Sequence, residues 1–174
     1  MKRILITTIA LTMIAAAALA HEGGGGGRGN EGYGDSDAIV GSNGTIFVTS
    51  STIDTGTRTS TTTVKAISTS GAMIWTATLT NAGRLELSGN NLIATNSTSA
   101  SDGTVSTTLT AISTSSGSVA WTRTLNGRVT SLEPFSAGTY AIVVVPATTS
   151  GGSATRSLVA IGNDGSVLWT VSLT

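Results

Sequence analysis

The chain has 174 residues, 39% hydrophobic and 10% charged, with nine basic and nine acidic side chains. That length and apolar content suffice for the core of one domain, and a net charge of zero excludes the basic stripe a phosphate backbone demands, so nucleic acid is not expected as a partner. Cysteine is absent, which excludes structural disulfides, thiolate metal sites and haem attachment, yet permits export, because a large enough core needs no cross-links.

Met1-Lys2-Arg3 is a short positive start, Ile4 to Leu19 is apolar, and Ala18-Leu19-Ala20 is a small-x-small cleavage site, so residues 1–20 read as a secretory signal peptide. The run is shorter than the roughly 20 residues of a bilayer span and lacks a following basic cluster, so no membrane span is expected after cleavage. Localisation is then secreted or periplasmic. Residues 21–35, from His21 through the glycine-dominated stretch 23–34, read as a flexible leader, since glycine loses the most backbone entropy on ordering.

From residue 36 onward the sequence repeats. Trp75, Trp121 and Trp169 are spaced by 46 and 48 residues, the period of a four-stranded propeller blade. An apolar strand and a glycine turn precede each: Val64 to Ile67 before Gly71, Leu109 to Ile112 before Gly117, Leu158 to Ile161 before Gly165. Alternation predicts that Met73, Trp75, Ala77 and Leu79 share one face, as do Val119, Trp121 and Leu125, and Val167, Trp169, Val171 and Leu173. Arg123 interrupts its row and is expected to lie along its neighbours with its head in water. Upstream in each copy lies an inner hairpin: Ala38 to Val40 with Thr45 to Thr49, Leu85 to Leu87 with Leu92 to Thr95, Ser131-Leu132 with Tyr140 to Val145. Loops are expected at Asp54 to Ser60, Ser97 to Val105 and Thr148 to Thr155, where Ser, Thr and Gly crowd together. The fold class is therefore all-β, with three four-stranded antiparallel blades (36–82, 83–126, 127–174) of an incomplete or oligomer-completed propeller-like array.

Ala111-Ile112-Ser113-Thr114-Ser115-Ser116-Gly117-Ser118-Val119-Ala120-Trp121 resembles the tryptophan-docking repeat of quinoprotein-type (pyrroloquinoline-quinone enzyme-like) propellers, A-x-D-x-x-T-G-K-x-x-W. Ala66 to Trp75 and Ala160 to Trp169 repeat it with one residue fewer in the turn, and Gly44 to Val48 is similar to the family's inner strand. The resemblance implies that Trp75, Trp121 and Trp169, with Gly71, Gly117 and Gly165, are structural anchors locking blade to blade. Family rings close with six to eight blades, so three blades leave two apolar flanks. The family's catalytic aspartate and calcium-binding set have no counterpart here, and no cofactor is implied.

Elsewhere the chemistry is sparse. His21 at a mature amino terminus would start a copper brace, but a brace needs a second histidine, and the sequence has one. Asp35-Ser36-Asp37 and Asn163-Asp164-Gly165 lack the spacing of a calcium loop and read as linker and turn. Asp54, Asp102, Glu86 and Glu133 are the other acids of the repeat, and default to solvated charges rather than a hydrolytic pair. No histidine serves the repeat's serines as a base. Asn43-Gly44-Thr45 and Asn96-Ser97-Thr98 match the glycosylation acceptor pattern. No catalytic, cofactor or metal residue is assigned. The expected function is an exported, non-enzymatic binding or assembly module that meets a protein partner, or itself, through open blade flanks. The alternatives are a fragment or subunit of a PQQ-dependent quinoprotein-like dehydrogenase, and a structural protein of the cell surface.

Overall fold

A computed structural model describes residues 38–147 and 151–173. The expected signal peptide, the leader with His21, and Asp35 and Asp37 lie outside the described residues. Twelve strands run in chain order: β1 Ala38–Val40, β2 Ile46–Asp54, β3 Thr59–Ile67, β4 Met73–Thr80, β5 Leu85–Ser88, β6 Asn91–Ser99, β7 Val105–Ser113, β8 Val119–Asn126, β9 Arg128–Phe135, β10 Gly138–Val145, β11 Thr155–Gly162 and β12 Val167–Ser172. They form three four-stranded antiparallel meanders, β1-β2-β3-β4, β5-β6-β7-β8 and β9-β10-β11-β12, so the all-β, propeller-like and unclosed array is observed.

Threonine, valine and isoleucine favour a pleated surface, and serine and threonine hydroxyls pair across strands: Ser51 with Thr62 and Ser97 with Thr107 at 2.8 Å, Thr98 with Ser106 and Thr108 with Thr124 at 3.1 Å. The ladders run further than the expected loops allow. Ser97 to Ser99 and Thr59-Ser60 are strand, and the first two connections shrink to residues 55–58 and 100–104. At Ser97 and Thr98 hydroxyls that bond each other across the ladder extend the hairpin instead of ending it.

Two apolar clusters make up the core, and each is a seam between sheets. Phe47, Val64, Ala66 and Trp75 of the first sheet meet Leu92 and Ile112 of the second. Ile93, Leu109, Ala111 and Leu125 of the second meet Leu132, Ala141, Val143, Val159 and Ile161 of the third. Neighbours on β6 point to opposite faces, so Leu92, Ile93 and Ala94 are all buried, and the middle blade reads as an unbroken apolar run.

Each sheet carries an irregularity at the same place, and the third has a second between Ile142 and Val143. Register shifts between Ala66 and Ile67, Ala111 and Ile112, and Ala160 and Ile161, so that Ala66 pairs Trp75 while Ile67 pairs Met73, with the same offset in the other two. One extra residue, Ile74, Ala120 or Leu168, is therefore bulged out just before each tryptophan. Strict alternation fails there. Met73, Val119 and Val167, expected on the tryptophan's face, are 63%, 58% and 43% exposed.

Candidate functional site

Polar residues offer little that converges. Asp54 accepts from the Gly56 amide at 2.8 Å and the Thr57 amide at 3.3 Å; Asp102 accepts from the Thr104 hydroxyl at 2.7 Å and amide at 2.9 Å; Asp164 accepts from the Ser166 hydroxyl at 2.6 Å and amide at 2.9 Å. Each carboxylate closes its own turn. Glu86 pairs with Arg84 at 3.2 Å, and Glu133 accepts from Ser131 Oγ at 3.1 Å. Among the described residues no group of three or more His, Cys, Asp or Glu side chains could hold a metal.

The three turn carboxyls are held below the usual value of 3.8: Asp54 mainly by the Gly56 amide, Asp102 by the Thr104 hydroxyl and then its amide, Asp164 by the Ser166 hydroxyl and then its amide, with the Arg123 charge adding least. A folded pKa below the unfolded one stabilises the fold fully above the unfolded value, and that contribution is lost as pH falls through the folded value. Urea midpoints are expected to hold level from neutrality to about pH 4 and then decline. Changing Asp54, Asp102 and Asp164 together to Asn should flatten that acid limb. A limb of unaltered steepness in the triple variant would remove these turns as its cause.

The richest geometry lies where one blade meets the next. Trp75 is 8% exposed; its ring packs against Phe47 at 5.7 Å between centroids, and its Nε1 donates to the Thr114 carbonyl of the second blade at 2.9 Å. The same ring covers Gly117, where a Cβ would come within 2.6 Å of Trp75 Cε3. At the next junction Trp121 Nε1 donates to the Asn163 carbonyl at 2.8 Å, and its ring lies over Gly165, where a Cβ would come within 2.7 Å of Trp121 Cδ2. Both glycines also hold positive φ, +73° and +81°, which closes the turn between the last two strands of the blade.

Further bonds reinforce the second junction. Ser88 Oγ donates to the Gly138 carbonyl at 2.8 Å, and Asn91 Nδ2 to the Asn163 carbonyl at 3.1 Å. Fully buried Thr107 donates to the Gly127 carbonyl at 2.8 Å and accepts from the Val129 amide at 3.1 Å. Arg123 is exposed, as expected, and its Nε also donates to the Gly165 carbonyl at 2.8 Å, tying its strand to the following blade.

The first junction is looser at its inner end. A cleft of about 510 Å³ opens there, lined by Ala38, Ile39, Thr49, Ser51 and Thr62 on one side and Gly83 to Leu87 on the other. The connection from β4 to β5 runs through Asn81, whose φ of +51° is a conformation asparagine tolerates, and whose Oδ1 accepts from the Ser60 amide at 2.9 Å.

Residues 60–174 match the family described as outer membrane protein assembly factor BamB, a family of PQQ-like repeats. The chain belongs to this family. A search of the curated proteins finds no match. The matched span of this PQQ-like repeat begins within β3 and includes all three tryptophans and the whole of the second junction, and the three sheets are the blades of a propeller-type module.

Trp169 sits differently from the other two. It is 42% exposed, touched by Tyr140 at 5.6 Å between centroids, which in turn stacks on Phe135 at 4.2 Å. Val171 and Leu173, two and four residues on, are 51% and 48% exposed. Sequence reasoning places the three tryptophans in one class. Whether each has a blade to meet depends on contacts 39 to 42 residues downstream, which periodicity does not reveal.

Proposed function

We propose that the chain is an exported, non-enzymatic binding and assembly module that docks proteins through its blade flanks. The observation that carries this is the outer face of the third blade. Trp169, Val171 and Leu173 present there the positions that at the inner junctions are filled by buried Trp75 and Leu125. A contiguous apolar strip of this kind on a folded domain marks an interaction surface. The family description, an outer membrane protein assembly factor, supports a role in protein assembly outside the cytoplasm, and the signal-like residues 1–20 support the same compartment. In this reading Trp75 and Trp121, with Gly117 and Gly165, lock the blades, while Trp169 and Gly71 are the same parts turned outward.

The test is site-specific photo-cross-linking in the producing cell. A photoreactive residue at Val171 is expected to capture protein, and one at Arg58, on the loop between β2 and β3, is not. Equal capture from both positions, or none from Val171, overturns the flank as the docking surface.

A further inference from the structure

The two inner junctions obey one rule. The indole of one blade lies on the turn glycine of the next and donates to the carbonyl two residues beyond that blade's turn-side isoleucine: Thr114 after Ile112, Asn163 after Ile161. The third blade carries the donor half of this arrangement on its outer face, in Trp169 with Tyr140 beside it. The first blade carries the receiving half. Gly71 has the matching φ of +82°, but no described atom lies within 4 Å of where its Cβ would stand, whereas an indole fills that space at Gly117 and Gly165. Thr69, two residues beyond Ile67, is the sequence counterpart of the acceptors Thr114 and Asn163. Ile46 pairs Ile67 as Leu92 pairs Ile112, yet Ile46 is 36% exposed and Leu92 is fully buried.

Resting on the reading of the flanks as docking surfaces, the geometry points to a second copy of this chain as the occupant of both, Trp169 of each copy seated on Gly71 of the other. The two halves differ, so the contact is head to tail, and such contacts either close into a ring or run on as a filament. Propellers close with about four to eight blades, and the three described blades of two copies together make six, a ring with two identical junctions.

The folded full chain should scatter light as two chains. Trp169→Glu and Ile46→Glu should each shift it to one chain, with association weakened about 100-fold or more, as expected for a central aromatic anchor. An equimolar mixture of the two variants should recover a two-chain species, less stable than the parent, through the one junction left intact. Circular dichroism verifies folding, and Val171→Glu replaces Trp169→Glu if that variant unfolds. A single-chain parent, filaments or larger rings, a two-chain species that survives either variant alone, or no recovery on mixing overturns the proposal. Cross-linking from Val171 separates it from the broader reading: capture of the same chain supports the second copy, capture of a different protein overturns the second copy and leaves flank docking standing, and no capture sinks both.

Discussion

Trp75→Ala is expected to lower the free energy of unfolding by about 3–5 kcal/mol, the range for truncating a buried aromatic side chain. The indole is 8% exposed and packs among Phe47, Val64, Ala66, Leu92 and Ile112, so its loss opens a cavity between two blades, and the Thr114 carbonyl loses its donor. Trp169→Ala, measured at protein concentrations low enough to isolate one chain, should cost only about 1–2 kcal/mol, because 42% of that side chain already faces solvent. Urea unfolding of the two variants makes the comparison. Equal losses would remove the distinction between a seated tryptophan and an unseated one.

The second large effect belongs to the glycines beneath the rings. Gly71, Gly117 and Gly165 share a φ between +73° and +82°, so alanine at any of them carries a left-handed backbone cost of about 1–2 kcal/mol. At Gly117 and Gly165 the added Cβ also collides with ring atoms of Trp75 and Trp121, and overpacking adds about 1–3 kcal/mol. Gly71→Ala thus serves as an internal control, since it supplies the backbone strain without the collision. The Gly117→Ala and Gly165→Ala losses should exceed the Gly71→Ala loss measured at the same low concentration. If all three coincide, the close approach of indole to glycine has no energetic weight.

The blade architecture is legible in the sequence because tryptophan, turn glycine and the strand before it recur with a period that only a repeated four-stranded unit explains. Other features are hidden for physical reasons. Ser97 and Thr98 have loop composition and strand conformation because their partners, Thr107 and Ser106, carry hydroxyls too, and residue-by-residue composition does not show who sits opposite. The bulge at Ile74, Ala120 and Leu168 leaves alternating apolar residues on both sides of itself, so Met73 and Trp75 read as one face until the register with Ala66 and Ile67 is seen. Arg123 gives no local sign that Gly165 offers a carbonyl 42 residues later. For the flanks the limit is the same: Trp75 and Trp169 stand in near-identical local sequences, and only the surface each one meets separates them.

The direction of the junctions has a consequence for a chain made from its amino end. Trp75 is seated by Thr114, 39 residues ahead, and Trp121 by Asn163, 42 residues ahead. No blade can therefore finish its packing on what has already emerged; each waits for its successor. At roughly 5–20 residues per second of synthesis, that wait is about 2–8 s per blade, during which an apolar indole has no seat. A nascent chain of this kind stays unlocked behind its leading edge and becomes rigid from the far end of each repeat backward, so the last hairpin made decides when the one before it is complete.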